Sequence, residues 1–126
     1  MQIIGIGIDI LDIKRFGNSI NKWGDLFINK IFTINEQKYI GAKDSYYMHM
    51  SGKFAAKEAV KKAIPNGAEI GLDWTSIEIL KFSDGKPYVN LHKKAKQLKE
   101  QFQIKDIFIS ISHSKNFAVA NAIVIK

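Results

Sequence analysis

Residues 107–125 read IFISISHSKNFAVANAIVI, two alternating runs, 107–113 and 117–125, on either side of Ser114-Lys115-Asn116. That pattern predicts a β-hairpin. Working outward, residues 76–82 and 87–91 are two further short strands, separated by Ser83-Asp84-Gly85-Lys86 with the Asp-Gly signal of a hairpin turn. A lysine-rich helix over 93–102 lies between the two hairpins. At the other end, residues 3–13 alternate as a strand, with Ile4, Ile6, Ile8 and Ile10 on one face and Gly5, Gly7, Asp9 and Leu11 on the other. Residues 14–43 read as short helices anchored by Trp23, Phe27 and Phe32, with Thr33 and Glu36 at capping-box spacing. Residues 44–64 hold good helix formers without proline, an N-cap at Asp44 or Ser45, and a stop at Pro65-Asn66-Gly67. Hairpin-linked strands exclude a doubly wound fold. The expected class is α+β, a largely antiparallel sheet packed against helices.

The chain has 126 residues, which suits one domain spanning 1–126 and burying roughly two thirds of its unfolded surface. Nineteen Lys or Arg against twelve Asp or Glu give a net charge of +7 and point to an acidic partner. Arg15 is the one arginine, so anion recognition rests on lysine point charges rather than bidentate forks. Cysteine is absent, which excludes disulfide scaffolds, thiolate metal sites and cysteine nucleophiles and fits a reducing cytoplasm. The apolar stretch 3–11 carries Asp9 and lacks signal-peptide flanks, and no run approaches a membrane span. A soluble cytoplasmic protein is expected.

Asp9 is the first candidate for chemistry. A carboxylate among Ile, Gly and Leu is costly unless a cation compensates it, and Gly5 and Gly7 leave room for a ligand or another backbone. The alternative is that Asp9 ends its strand and caps the helix beginning near Asp12. Gly5-Ile6-Gly7 is no dinucleotide fingerprint, because Ile10 stands at the third glycine position. On the long helix, Ala55, Ala56, Ala59, Val60 and Ala63 form a small apolar face, opposite Lys57, Glu58, Lys61 and Lys62. That second face is either solvated, with Glu58 paired to Lys62, or a metal ligand amid phosphate-binding lysines, walled by Phe54. Few hard oxygen ligands suit Mg²⁺ completed by substrate phosphates. Lys86, Ser110, Ser112 and His113 are further candidates for phosphate contacts, with Ser112 and His113 alternatively just the start of a turn.

These residues, in this order, resemble the small bacterial holo-[acyl-carrier-protein] synthases, which are 4'-phosphopantetheinyl transferases. The resemblance spans nearly the whole chain. It rests on Gly5-Ile6-Gly7-Ile8-Asp9-Ile10, Phe32-Thr33 with Glu36, Lys53-Phe54-Ala55-Ala56-Lys57-Glu58-Ala59 with Lys62, Gly85-Lys86-Pro87, and Ile109-Ser110-Ile111-Ser112-His113. It implies the 4'-phosphopantetheinyl transferase fold and a homotrimer with active sites between subunits. It also implies a Mg²⁺ ion, with Mn²⁺ as the alternative, held by Asp9, Glu58 and the coenzyme A pyrophosphate. The implied reaction moves 4'-phosphopantetheine from coenzyme A to a serine of apo acyl carrier protein, releases adenosine 3',5'-bisphosphate and supports fatty acid biosynthesis. Asp9 and Glu58 are then the catalytic pair, and either Glu58 or a metal-bound water accepts the serine proton. Lys53, Lys57, Lys62, Lys86, Ser112 and His113 would contact coenzyme A, while Arg15, with Lys14 and Lys22, would face the acidic carrier protein.

The chain departs from the family pattern at Lys53, where arginine is usual, at Pro65 ahead of Gly67, and at Ser114 after His113. Two other classes compete. A nucleic-acid-binding module would use the basic helix over 93–99, but a single arginine and no recognisable motif leave only bulk charge. A non-catalytic carrier-protein binder would not need the acid pair. Neither nucleic acid nor membrane is therefore expected among the partners.

Overall fold

The computed structural model describes residues 1–39 and 41–126. Residue 40, inside the stretch read as short helices, lies outside the described residues. Strand β1 (Ile3–Asp12) pairs antiparallel with β5 (Phe117–Ile125), which pairs with β4 (Asp106–His113), giving the order β1-β5-β4. One row of this sheet runs Asp9, Ala120, Ile111. Strands β2 (Ile77–Lys81) and β3 (Pro87–Leu91) form a separate two-stranded antiparallel sheet. Both expected hairpins are present, but they belong to two sheets rather than one.

Helix α3 (Tyr46–Ala63) crosses the three-stranded sheet. Its small face is buried together with Ala120, Ala122 and Val124 of β5 in one core cluster. Contact with β1 is so close that a Cβ on Gly7 would lie 1.9 Å from the Ala59 carbonyl oxygen, and one on Gly5 1.7 Å from that of Ala63. The space left by these glycines is thus filled by the helix backbone. Gly67 follows the same logic after the helix, where a Cβ would lie 2.4 Å from the Lys61 carbonyl oxygen.

Helix α1 (Ile13–Ile31) is two shorter helical segments, as expected, joined at Gly24, whose non-helical φ of 59° kinks the axis. Its N-cap is Asp12, which accepts from Arg15 N–H at 3.0 Å, so Asp9 stays inside the strand. Phe16, Ile20, Ile28 and Ile31 of α1 form a second core cluster with Phe32 and Met50. Each such side chain contributes about 1.5–3 kcal/mol on burial. Phe16 stacks on Phe54 of α3 with centroids 5.1 Å apart, fixing α1 against the middle of α3. The expected capping box closes α2 (Ile34–Gln37) between Thr33 and Glu36. Helix α3 is preceded by a short 3-10 turn at Lys43–Ser45, and Ser45 is its N-cap without a side-chain bond. Two further helices, α4 (Gly67–Ile70) and the expected lysine-rich α5 (Lys93–Gln101), complete the order.

The outer face of β1 is the unexpected feature. Ile6, Ile8 and Ile10 are 69%, 64% and 65% exposed, while the glycine face is packed. Phe108 and Phe117 are also exposed, on the other two strands.

Candidate active site

Asp9 of β1 lies within reach of the charge of Glu58 on α3, where strand and helix pack together. Lys62, one turn beyond Glu58, donates to Asp9 Oδ1 at 3.2 Å and to the Ile8 carbonyl at 3.0 Å. The Glu58–Lys62 pair considered above does not form. Instead Glu58 Oε1 accepts from the indole Nε1–H of Trp74. Burial pushes the Asp9 carboxyl above its ordinary pKa, the Lys62 hydrogen bond and charge oppose this, and the nearby Glu58 charge adds to it. A site that resists its own negative charge favours a cation.

Among the described residues, Asp9 Oδ2 and Glu58 Oε2 have no hydrogen-bond donor. Nor does any group of three or more His, Cys, Asp or Glu gather to hold a metal. Two hard carboxylates, each with an oxygen to offer, fit a Mg²⁺-like ion that takes its remaining ligands from water and phosphate. Lys62, with half its side chain exposed, already supplies a cation there.

Lys57 corrects an expectation. It is fully buried, paired with Glu36 Oε1 at 2.6 Å, and donates to the carbonyls of Trp74 at 2.9 Å and Ile77 at 2.6 Å. Every proton of its ammonium is used internally, so it meets no phosphate. Burial lowers its pKa, against the pull of Glu36. Lys53 is also buried and donates to the Glu36 carbonyl at 2.8 Å, yet it lines a cavity of about 520 Å³ with Lys38, His49 and Lys81. Burial and the charges of Lys53, Lys81 and His113 push His49 down to about 4, so its ring is neutral at neutral pH.

His113 stands beside the first half of α3, its Nε2 3.2 Å from where a Cβ of Gly52 would be, and lines a neighbouring cavity with His49, Lys81 and Gly85. Lys86 lines a groove of about 560 Å³ against β4. Ser112 is exposed on the face that carries Ile10, through the shared partner Val119, and so points away from His113. None of these cavities is lined by Asp9, Glu58 or Lys62. The chain thus presents the expected residues as two groups, carboxylates with Lys62 at β1, and Lys53, Lys86 and His113 beside β4 and the β2–β3 hairpin. Lys14, Arg15 and Lys22 are all exposed on α1.

The roles of three residues escaped the sequence reading. Glu36 stood out as a cap and within the family-like pattern, but nothing marked it as the buried centre joining Thr33, Lys57 and the Ile79 N–H. Glu78 accepts from Thr33 Oγ1 and lies 3.0 Å from His92 Nε2. Trp74 gave no local signal at all. No helix among the described residues is long and apolar enough to cross a membrane.

Residues 5–122 match the profile of the 4'-phosphopantetheinyl transferase superfamily. The chain belongs to that superfamily. Within it the chain groups with the holo-[acyl-carrier-protein] synthases and is accordingly a transferase. The holo-[acyl-carrier-protein] synthase of Alkaliphilus oremlandii is 50% identical over 124 residues, 98% of this chain and 100% of that relative. The solved holo-ACP-synthase of Plasmodium yoelii matches with a TM-score of 0.83 at 35% identity, covering 98% of this chain and 94% of that one. Helicobacter pylori holo-[acyl-carrier-protein] synthase, solved in complex with coenzyme A, gives a TM-score of 0.81 at 31% identity over 95% and 99% of the two chains. The two-sheet arrangement with α3 across it is therefore the 4'-phosphopantetheinyl transferase fold expected for this superfamily.

Proposed function

We propose that the protein transfers 4'-phosphopantetheine from coenzyme A to a serine of apo acyl carrier protein in a Mg²⁺-dependent reaction that supports fatty acid biosynthesis. The serine oxygen bonds to the β-phosphorus and its proton passes to Glu58 or to a water, the bond from that phosphorus to the bridging oxygen breaks, and adenosine 3',5'-bisphosphate leaves. The observation that carries this reading is the Asp9, Glu58 and Lys62 cluster at the junction of β1 and α3. Asp9 and Glu58 would hold the ion, which when bound would neutralise charge on the pyrophosphate and the developing leaving group. Lys62 is the exposed ammonium beside them and is free to swing to a phosphate, whereas Lys57 is not. Lys53, Lys86 and His113 supply the basic cavity walls for the nucleotide end.

The active unit in this reading is a homotrimer with sites between subunits. Two observations support it. The carboxylate group and the basic cavities occupy opposite edges of one subunit's sheet, and the outer sheet face exposes Ile6, Ile8, Ile10 and Phe108. An exposed apolar patch of this kind is usually covered by a partner. Ser112 lies on that same face and would approach coenzyme A from the interface. Lys14, Arg15 and Lys22 on α1 give the acidic carrier protein a basic docking edge. The absence of cysteine fits a cytoplasmic setting.

Purified protein, coenzyme A, Mg²⁺ and apo acyl carrier protein test this reading. Mass spectrometry should show the carrier gaining phosphopantetheine, and EDTA should stop it. A carrier left unmodified, under conditions where an active synthase converts it, refutes the proposal.

A further inference from the structure

Glu58 is held by a residue that no motif contains. We propose that Trp74 is a positioning residue for Glu58, its indole N–H fixing one carboxylate oxygen so that the other, Oε2, is presented to a divalent cation. The inference rests on the reading of Asp9 and Glu58 as metal ligands.

The indole is itself firmly held. Trp74 begins the 3-10 turn Trp74–Ser76, and its carbonyl accepts from the buried Lys57 ammonium at 2.9 Å. Glu36 fixes that ammonium in turn at 2.6 Å. The preceding carbonyl, of Asp73, accepts from both the N–H and the hydroxyl of Ser76. The ring packs on Phe54 at 5.7 Å, and the ammonium groups of Lys30 and Lys61 lie 5.9 and 5.6 Å from its centroid. Lys57 and Glu58 are sequence neighbours, so one buried ion pair sets both the helix position of Glu58 and the backbone that aims the indole at it.

The choice of donor matters chemically. An indole N–H donates one hydrogen bond and carries no net charge, so it orients the carboxylate without neutralising it. Asp9 shows the contrast, since its Oδ1 is met by a half-exposed ammonium that competes with any other cation. Outer groups that orient a ligand carboxylate typically govern metal affinity as well as geometry.

Two measurements on the full chain with coenzyme A bound test the proposal. In ¹⁵N-labelled protein the two tryptophans give two indole N–H resonances, and Trp23→Phe, at the exposed ring, assigns them by removing one. The Trp74 resonance should shift on adding Mg²⁺ while the exposed Trp23 resonance stays. Mn²⁺ binding followed by EPR should weaken about tenfold in Trp74→Phe, which keeps a ring but loses the N–H, at an unchanged melting temperature. Equal Mn²⁺ affinity in the two proteins overturns the proposal. If Trp74→Phe does not fold, a wild-type indole resonance indifferent to Mg²⁺ overturns it instead. Glu58→Gln separates the two readings. Loss of Mn²⁺ binding there with Trp74→Phe unaffected sinks only the positioning role, whereas unchanged binding in Glu58→Gln sinks the metal site beneath it.

Discussion

Lys57 and Lys62 both leave α3 to pair with a carboxylate from another element, and the two pairs differ in almost every physical respect. Lys57 and Glu36 are both fully buried, 2.6 Å apart, and saturated with further hydrogen bonds. Lys62 and Asp9 are 50% and 18% exposed, 3.2 Å apart, and Asp9 keeps one oxygen without a donor. A saturated pair in low dielectric is a fixed strut, since replacing either member strands a buried charge. An open pair can trade its ammonium for another cation. Burial and spare valence, more than residue type, separate the saturated pair from the open one in this helix.

Removing the strut gives the largest expected change in stability. Lys57→Met should lose about 3–5 kcal/mol in urea unfolding, because Glu36 is left without its cation. A loss below about 1 kcal/mol would make the two pairs alike and break the comparison. Lys62→Met should behave oppositely, with stability within about 1 kcal/mol of wild type and transfer activity down by about a hundredfold.

Between these lies the junction on which the open pair depends. Gly7→Ala should cost about 1–3 kcal/mol or force α3 away from β1, since its Cβ would meet backbone rather than a flexible side chain. Lost activity in the folded fraction would show that the strand–helix contact aligns Asp9 with Lys62. Full activity would show that it does not.

The smallest effect is in pH, and its sign differs between the regions. Burial alone would raise the Glu78 carboxyl, but hydrogen bonds from Thr33, His92 and Asn35 and the charge of His92 together hold it below its ordinary value. A depressed carboxyl stabilises the fold above its ordinary pKa and loses that contribution as pH falls through the folded value. Thr33→Val should therefore move the acid limb of the melting curve to higher pH. Asp9 is raised, so in metal-free protein its contribution runs the other way and is lost as pH rises through its folded pKa. Asp9→Asn should remove that slope.

Much of the fold was legible because hairpins and helices announce themselves locally. The turn at Asp84-Gly85, the capping box of Thr33 and Glu36, and the helix ended at Pro65 all follow from short-range rules. Which face of a strand is buried does not. Alternation put Ile6, Ile8 and Ile10 together, but the glycine face is the packed one because α3 needs the missing Cβ atoms. The division into two sheets was hidden for a similar reason, since a hairpin signal names partners and not neighbours. At the site, Asp9, Glu58 and Lys62 stood out through the resemblance to the family pattern, whereas the residues alone left Asp9 open as a helix cap and Glu58 as a solvated partner of Lys62. The burial of Lys57 was not legible, as its partner Glu36 lies 21 residues away on another element. Trp74 acts across 16 residues through a single N–H, which leaves no periodic trace.

The central claim is that the open pair, with Glu58, is where a divalent cation is bound and the transfer occurs. Asp9→Asn, assayed for phosphopantetheine transfer across a Mg²⁺ series and melted in metal-free buffer, tests it most directly. The account predicts no measurable transfer at any Mg²⁺ concentration and a metal-free melting temperature equal to or above that of wild type, because a disfavoured charge has been removed. Transfer at the wild-type rate would contradict it.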